Sequence, residues 1–497
     1  MDRNHILGKW EDKITGTVLN FYIEPNANTL MLARYQFTPV SFLEEQAPFK
    51  ITQDTLDSFA LRDENLIIDD QHFTQSDRSL EISPQSHSSI DTFNTLVALF
   101  NQHYAFFKLR GVNWDAVVQK YQTQIEKINH DDALFDALSN MLAEIGDNHV
   151  MLAQSLQGEG KQYTGFKLPE SFTKEITQST SDKNVNLSEV VDSFSQQAIA
   201  QIKSHMLDSL VTEVDGKLIW GNLKENPKIG YLNLVSSENI DVDELNASLD
   251  KALAFFNQQQ INGIVIDARF NQGGEDTIGL AVANRFSHEA KLISSVQTYY
   301  DGGKLTPVTE MHFNPDLPGE KIWDQHIPVA LLISPITASD GEQFALAISA
   351  LPQVTVIGEA TMGILSNQFA RKLPNDWWVT LSNELRYDAH GNLVEKHGLQ
   401  PDIKAKFPLG EFGSADPGIS AALDHLITSH ALSDITSEQD EILLFEDIIK
   451  NEDAKNHDAK HHPSYQPSSL SAKDTSYQPI PSSLDQTDPN ENATYLG

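Results

Sequence analysis

At 497 residues the chain is long enough for about three domains of ordinary size. Its formal net charge of -35 sets it against nucleic acid and anionic membranes, which would repel it. No run approaches the ~18 apolar residues of a membrane span, and the absence of cysteine excludes disulfides, zinc-thiolate sites and a cysteine nucleophile.

The first ten residues, Met1 to Trp10, contain no apolar core of a secretory signal, so the sequence as written is expected in the cytoplasm. Residues 1–85 alternate apolar and polar side chains between Asn, Asp and Gly breaks, as in Thr17 to Ile23 and Thr29 to Phe37. This predicts a small β-rich unit, either a substrate-recognition module or, by slight preference, a structural brace. In residues 86–150 the spacing of Leu96, Leu99, Phe100 and Tyr104, and of Leu134, Leu138 and Leu142, predicts a helical subdomain that delivers His149. Tyr104, Phe106 and Phe107 read as core residues. Residues 151–226 form a variable insertion with one amphipathic helix, Leu187 to Leu210.

From 227 to 432 strands and helices alternate: Ile229 to Val235, Val242 to Phe256, Ile261 to Asp267, Thr277 to Phe286, then Val329 to Ile333 and the helix after Ser339. This predicts an α/β layered domain, closed by a helix near Pro417 to Thr428. Residues 433–497 are acidic and poor in apolar residues, and Ser464-Tyr465-Gln466-Pro467 recurs as Ser476-Tyr477-Gln478-Pro479. Disorder is expected there, and His457, His461 and His462 are not expected to hold a metal in such a tail.

Three segments carry chemistry. Ser339 follows an apolar strand pattern and precedes a helical one, so its hydroxyl could face a cleft beside free helix amides, or Ser339 and Glu342 could form a plain capping box. The apolar run Gly263 to Asp267 leads into Asn271-Gln272-Gly273-Gly274, where the glycines allow a close backbone approach or a simple turn. A third segment runs from Gly358-Glu359-Ala360-Thr361-Met362-Gly363 to Glu395-Lys396-His397-Gly398-Leu399-Gln400-Pro401-Asp402. In it, Glu395 is a solvated loop carboxylate unless it serves a site.

Over roughly three hundred residues, the order of these motifs with Asp147-Asn148-His149 resembles the tail-specific (C-terminal processing) serine protease family. Its members include the tricorn core protease and the repeats of the interphotoreceptor retinoid-binding protein. The resemblance implies a crotonase-like ββα-spiral core behind an N-terminal helical bundle, and a serine peptidase acting on peptides or unfolded proteins through an acyl-enzyme. Ile364 stands where the bacterial branch has its lysine, so the serine-lysine dyad is ruled out and the tricorn-like branch is implied. Ser339 is then the nucleophile and His149 the base, with Glu395 holding the imidazole directly or through Asn148. The backbone amides of Asp340 and of Gly273 or Gly274 would form the oxyanion hole.

Other family members often carry a PDZ domain where residues 151–226 lie, but no carboxylate-binding loop of that type is visible there. No cofactor and no metal are expected, a homo-oligomer is left open, and exported relatives make the periplasm or secretion the alternative location. Two other functions fit the fold: a non-catalytic protein that binds a hydrophobic ligand, and an acyl-transfer or hydratase enzyme, for which no coenzyme A site is visible.

Overall fold

Strands Gly263–Asp267 and Val329–Ile333 are almost wholly apolar and buried at every position, the pattern of strands covered on both faces. In the computed structural model they sit at the centre of a seven-stranded sheet. Its order is Leu207–Glu213, Leu218–Leu223, Ile229–Leu234, Gly263–Asp267, Val329–Ile333, Val354–Gly358 and Ile403–Lys404. The first three strands pair antiparallel and every later pairing is parallel. The structure describes residues 3–429 apart from 26–28, 39, 41, 63–64, 69–70, 80–85, 87, 157, 180–186, 323–325 and 410–414. The acidic tail expected at 433–497, with its three histidines, lies outside the described residues.

Because side chains alternate along a strand, the sheet feeds two cores. Leu232, Ile264, Ile266 and Leu331 pack against helices Val242–Gln259, Asp276–Ala283 and Asp340–Ser349 through Leu249, Ile278 and Phe344. Tyr231, Val265, Ala330 and Leu332 pack on the other side, against helices Glu170–Ser179 and Leu187–Gln201 and against helical residues 417–429. The result is a mixed α/β fold with helices on both faces of the sheet.

The helix expected from Leu187 to Leu210 ends sooner. It stops at Gln201, passes through a π-helical turn at Ile202–Met206, and continues as strand Leu207–Glu213. Pairing with Leu218–Leu223 overrides the helical spacing there, so the central sheet begins upstream of residue 227.

Helices Ser89–His103, Trp114–Ile125 and Asp131–Ala143 share one core, in which Leu96, Phe100, Leu138 and Leu142 meet Val379 and Leu381. Those two valine and leucine side chains come from a second, four-stranded sheet with the order Gln368–Lys372, Trp378–Ser382, Met151–Ala153, Gln162–Thr164. Gly146, at φ 66°, turns the chain after the last of these helices toward His149 and strand Met151–Ala153. Nearer the N-terminus, seven antiparallel strands between Gly8 and Gln75 form a separate sheet, closed over Trp10, Phe21, Leu32 and Phe73. Among the described residues no helix is long and apolar enough to cross a membrane.

Candidate active site

Parallel strands end together, and the loops beyond their carboxyl ends make the natural cleft of such a sheet. Here the loops after Gly263–Asp267 and Val329–Ile333 are laced to each other. Ser334 Oγ donates to the Arg269 carbonyl (2.6 Å), Thr337 Oγ1 to the Ala268 carbonyl (2.9 Å), and the Ala338 amide to the Asn271 carbonyl (3.1 Å). That lacing holds Ser339 at φ 52°, ψ -123°, a left-handed conformation that costs a non-glycine residue on the order of 1–3 kcal/mol. The helix Asp340–Ser349 starts immediately after it, yet the Ser339 hydroxyl makes no capping bond.

The capping box is therefore only half formed. Glu342, fully buried, accepts from the Ser339 amide, and from Thr361 Oγ1 (2.5 Å), the Gly363 amide (2.8 Å) and the Ile364 amide (2.7 Å). Burial pushes its carboxyl up to about 7, against the pull of these donors. The serine hydroxyl is left for other chemistry.

His149 is buried, and it lines the same cleft of about 600 Å³ as Ser339. Asn148, Phe166, Gln272, Gly274 and Asn367 also line it. Burial lowers the pKa of the imidazole from its ordinary 6.5, while the Asp147 carboxylate and the Ser366 backbone pull it back up. A base kept neutral near pH 7 can accept a serine proton.

The carboxylate most strongly felt by His149 is thus Asp147, two residues before it. Asp147 Oδ1 accepts the His149 backbone amide (2.9 Å), and Oδ2 accepts the Tyr104 hydroxyl (2.8 Å) and lies 3.3 Å from Arg110 Nε. Arg110 continues the chain of contacts to Glu395 Oε1 at 2.7 Å. Glu395 is fully buried, not solvated, and Oε2 accepts the amides of Leu365 (3.0 Å) and Ser366 (3.2 Å). Burial raises its pKa, and the nearby Asp147 adds to the shift.

Two sequence expectations change here. Glu395 makes no hydrogen bond to the imidazole, because its oxygens are taken by Arg110 and the Leu365–Ser366 amides; it reaches His149 only through that backbone and through Arg110. Asn148 does not bridge them either: its side chain is paired both ways with the Lys167 backbone, donating at 2.8 Å and accepting at 3.1 Å. His149 Nδ1 is buried and without a hydrogen bond, so no carboxylate pins the tautomer. Asp147 was legible as part of the Asp147-Asn148-His149 run, whereas nothing local marks Arg110, and Tyr104 read simply as core.

The glycine loop closes the far side. Gly273 (φ 116°) lies so near the serine that a Cβ on it would come 2.7 Å from the Ser339 Cβ, and its amide donates to Asn271 Oδ1 (2.9 Å). Gly274 (φ 142°) is exposed to the cleft, and its amide makes no hydrogen bond among the described residues. The Asp340 amide is likewise unengaged. Of the three residues expected to meet an oxyanion, Gly274 and Asp340 offer free N–H groups, while that of Gly273 is already used. The Asp340 side chain points away, buried beside Ser237 and Gly279, and burial pushes its carboxyl up to about 7. Among the described residues no group of three or more metal-ligating side chains is placed to hold a metal ion.

Comparison with known proteins bears on this geometry. A family model for peptidase family S41 matches residues 228–405, and one for the tricorn protease C1 domain matches residues 91–143. The chain is 22% identical over 299 residues to the carboxy-terminal processing protease CtpA of Bacillus subtilis, covering 58% of this chain and 60% of that protein. It is 28% identical over 186 residues to a carboxy-terminal-processing protease of Bartonella bacilliformis, covering 37% of this chain and 40% of that protein. The crystal structure of a candidate peptidase from Parabacteroides merdae superposes with a TM-score of 0.53 at 25% identity, over 69% of this chain and 97% of that one.

Proposed function

Because the chain belongs to the tail-specific S41 peptidase family, we propose that it hydrolyses peptide bonds through an acyl-enzyme on Ser339. The observation that carries this reading is the uncapped Ser339 hydroxyl, held at a strained strand-to-helix turn on the cleft that His149 also lines. Ser339 Oγ attacks the scissile carbonyl carbon while His149 takes its proton. The tetrahedral oxyanion is met by the amides of Asp340 and Gly274. His149 then protonates the departing amine, leaving an ester on Ser339. A water that gives its proton to His149 attacks that ester, and collapse releases the carboxylic acid and restores the serine. Asp147 stabilises the imidazolium by charge, and Glu395 fixes the Leu365–Ser366 backbone against the ring.

The substrates are peptides or partly unfolded proteins. The α/β core would be a crotonase-like ββα spiral, with residues 86–150 a helical subdomain that delivers His149. Non-catalytic binding of a hydrophobic ligand is not favoured, since Asn148, His149, Glu238, Gln272 and Gln368 make the cleft polar.

A fluorophosphonate probe at neutral pH, with the adduct located by mass spectrometry, tests the reading. Labelling should fall on Ser339, vanish in Ser339→Ala and drop at least a hundredfold in His149→Ala. Equal labelling of the His149→Ala protein would remove histidine from the mechanism.

A further inference from the structure

Strand Gln368–Lys372 stands at the open edge of its four-stranded sheet. It starts at the catalytic cleft, where Gln368 and Asn367 are lining residues, and runs from there toward the N-terminal sheet. Its register with Trp378–Ser382 sets which backbone groups face outward. Lys372 offers its amide to Gln36 Oε1 (2.9 Å) and its carbonyl to Gln36 Nε2 (3.0 Å), so both its groups point away from the neighbouring strand. The two-residue period of a strand then turns Ala370 and Gln368 outward as well. Among the described residues the outward N–H groups of Ala370 and Gln368 meet no partner, while the Ala370 carbonyl accepts from Arg371 Nη1 (3.2 Å).

At the far end the Gln36 side chain thus occupies the place that the peptide group of another strand would take. Two hollows of about 560 and 710 Å³ flank the open stretch. Both are lined on one side by Gln368 and Phe369 and on the other by Thr15 and Gln71 of the N-terminal sheet. The larger shares Asn367 and Gln368 with the catalytic cleft, so the three hollows form one path away from Ser339.

We propose that an extended stretch of the substrate polypeptide adds as a strand to the Gln368–Ala370 edge, with the N-terminal sheet as the opposite wall of its groove. Main-chain bonding of this kind selects for extended, unfolded chain with little regard to its side chains. An unpaired strand edge is otherwise a hazard for association, and continuity with the cleft gives this one a use. Gln36 closes the far end, so the groove measures only a few residues from the scissile bond. The choice of occupant rests on the peptidase reading, but binding can be measured without turnover.

The test uses the full chain carrying Ser339→Ala and the anisotropy of fluorescein-labelled casein as an unfolded probe. Adding Ala370→Pro removes an outward N–H and no ladder bond, a change that edge strands tolerate. Adding Gln71→Trp instead fills the groove from the opposite wall. Each should raise the Kd for casein about tenfold, the scale of one or two lost hydrogen bonds with crowding. Should Ala370→Pro lower the melting temperature, Gln71→Trp alone decides. A Kd within twofold of the parent in both variants overturns the proposal. So does a dimer of the parent protein that Ala370→Pro dissolves and casein does not compete with, which would assign the edge to a second copy. Fluorophosphonate labelling of the wild-type protein reads the serine chemistry separately, so failure of the groove and failure of the peptidase reading are distinguishable.

Discussion

At the scale of single residues, His149 depends on groups that do not touch its ring. Asp147 holds the backbone of the histidine while its charge supports the imidazolium, and Tyr104 and Arg110 keep that carboxylate in place. Since burial is the largest influence and lowers the pKa of His149 below 6.5, the base stays neutral into mildly acidic solution. The acid limb of the Ser339 labelling rate should accordingly have its midpoint below pH 6.5. Asp147→Asn retains an acceptor for the His149 amide but removes the charge that raises the ring's pKa. The midpoint should move to still lower pH and the plateau rate fall about tenfold, as expected for one charge lost at an effective dielectric near 20. A purely structural role would lower the melting temperature of the variant and leave the midpoint where it was.

At the scale of elements, the nucleophile turn is made by neighbours that need each other's close approach. A Cβ on Gly341 would lie 2.2 Å from the Asn271 carbonyl oxygen, and one on Gly273 would meet Ser339 itself. Gly273→Ala combines that contact with a positive φ, so the two loops should part locally. Labelling of Ser339 should slow by about a hundredfold or more, as for loss of an oxyanion donor. The sheet beneath is intact, so the melting temperature should fall by only a few degrees, measured by calorimetry. These turns were legible in the sequence because strand, turn and helix are contiguous there, and apolar runs such as Val329–Ile333 leave little choice of structure. Contacts across long separations were not legible. Glu395 meets Arg110 285 positions away and Asp147 meets Tyr104 43 positions away, and no spacing rule connects them. The end of the helix expected from Leu187 to Leu210 was misread at Leu207–Leu210 for the related reason that the partner strand, not the local pattern, decides the form there.

At the scale of the whole molecule, distant parts of the chain are tied to the cleft by buried charge. Arg269 lies two residues past the end of the central strand Gly263–Asp267, just before the glycine loop, and its guanidinium is wholly enclosed. It bonds Asp267 (2.7 Å and 3.0 Å) and, 147 positions later, both oxygens of Asp416 (2.8 Å and 3.0 Å). Asp416 is itself fully buried, and its Oδ1 accepts the Ile419 amide at the start of helical residues 417–429. One carboxylate therefore fastens the last described helix to the loop that carries Gly273 and Gly274. Removing it leaves Arg269 half compensated, and a buried pair broken from one side typically costs about 3–5 kcal/mol. Asp416→Ala should lower the unfolding free energy by that order in urea titration. It should also slow Ser339 labelling, because the glycine loop loses its anchor. Asp416→Asn keeps an acceptor for both the guanidinium and the Ile419 amide, and should recover part of the stability. If Asp416→Ala unfolds at the wild-type urea concentration, the ion pair is not what joins these two parts of the fold.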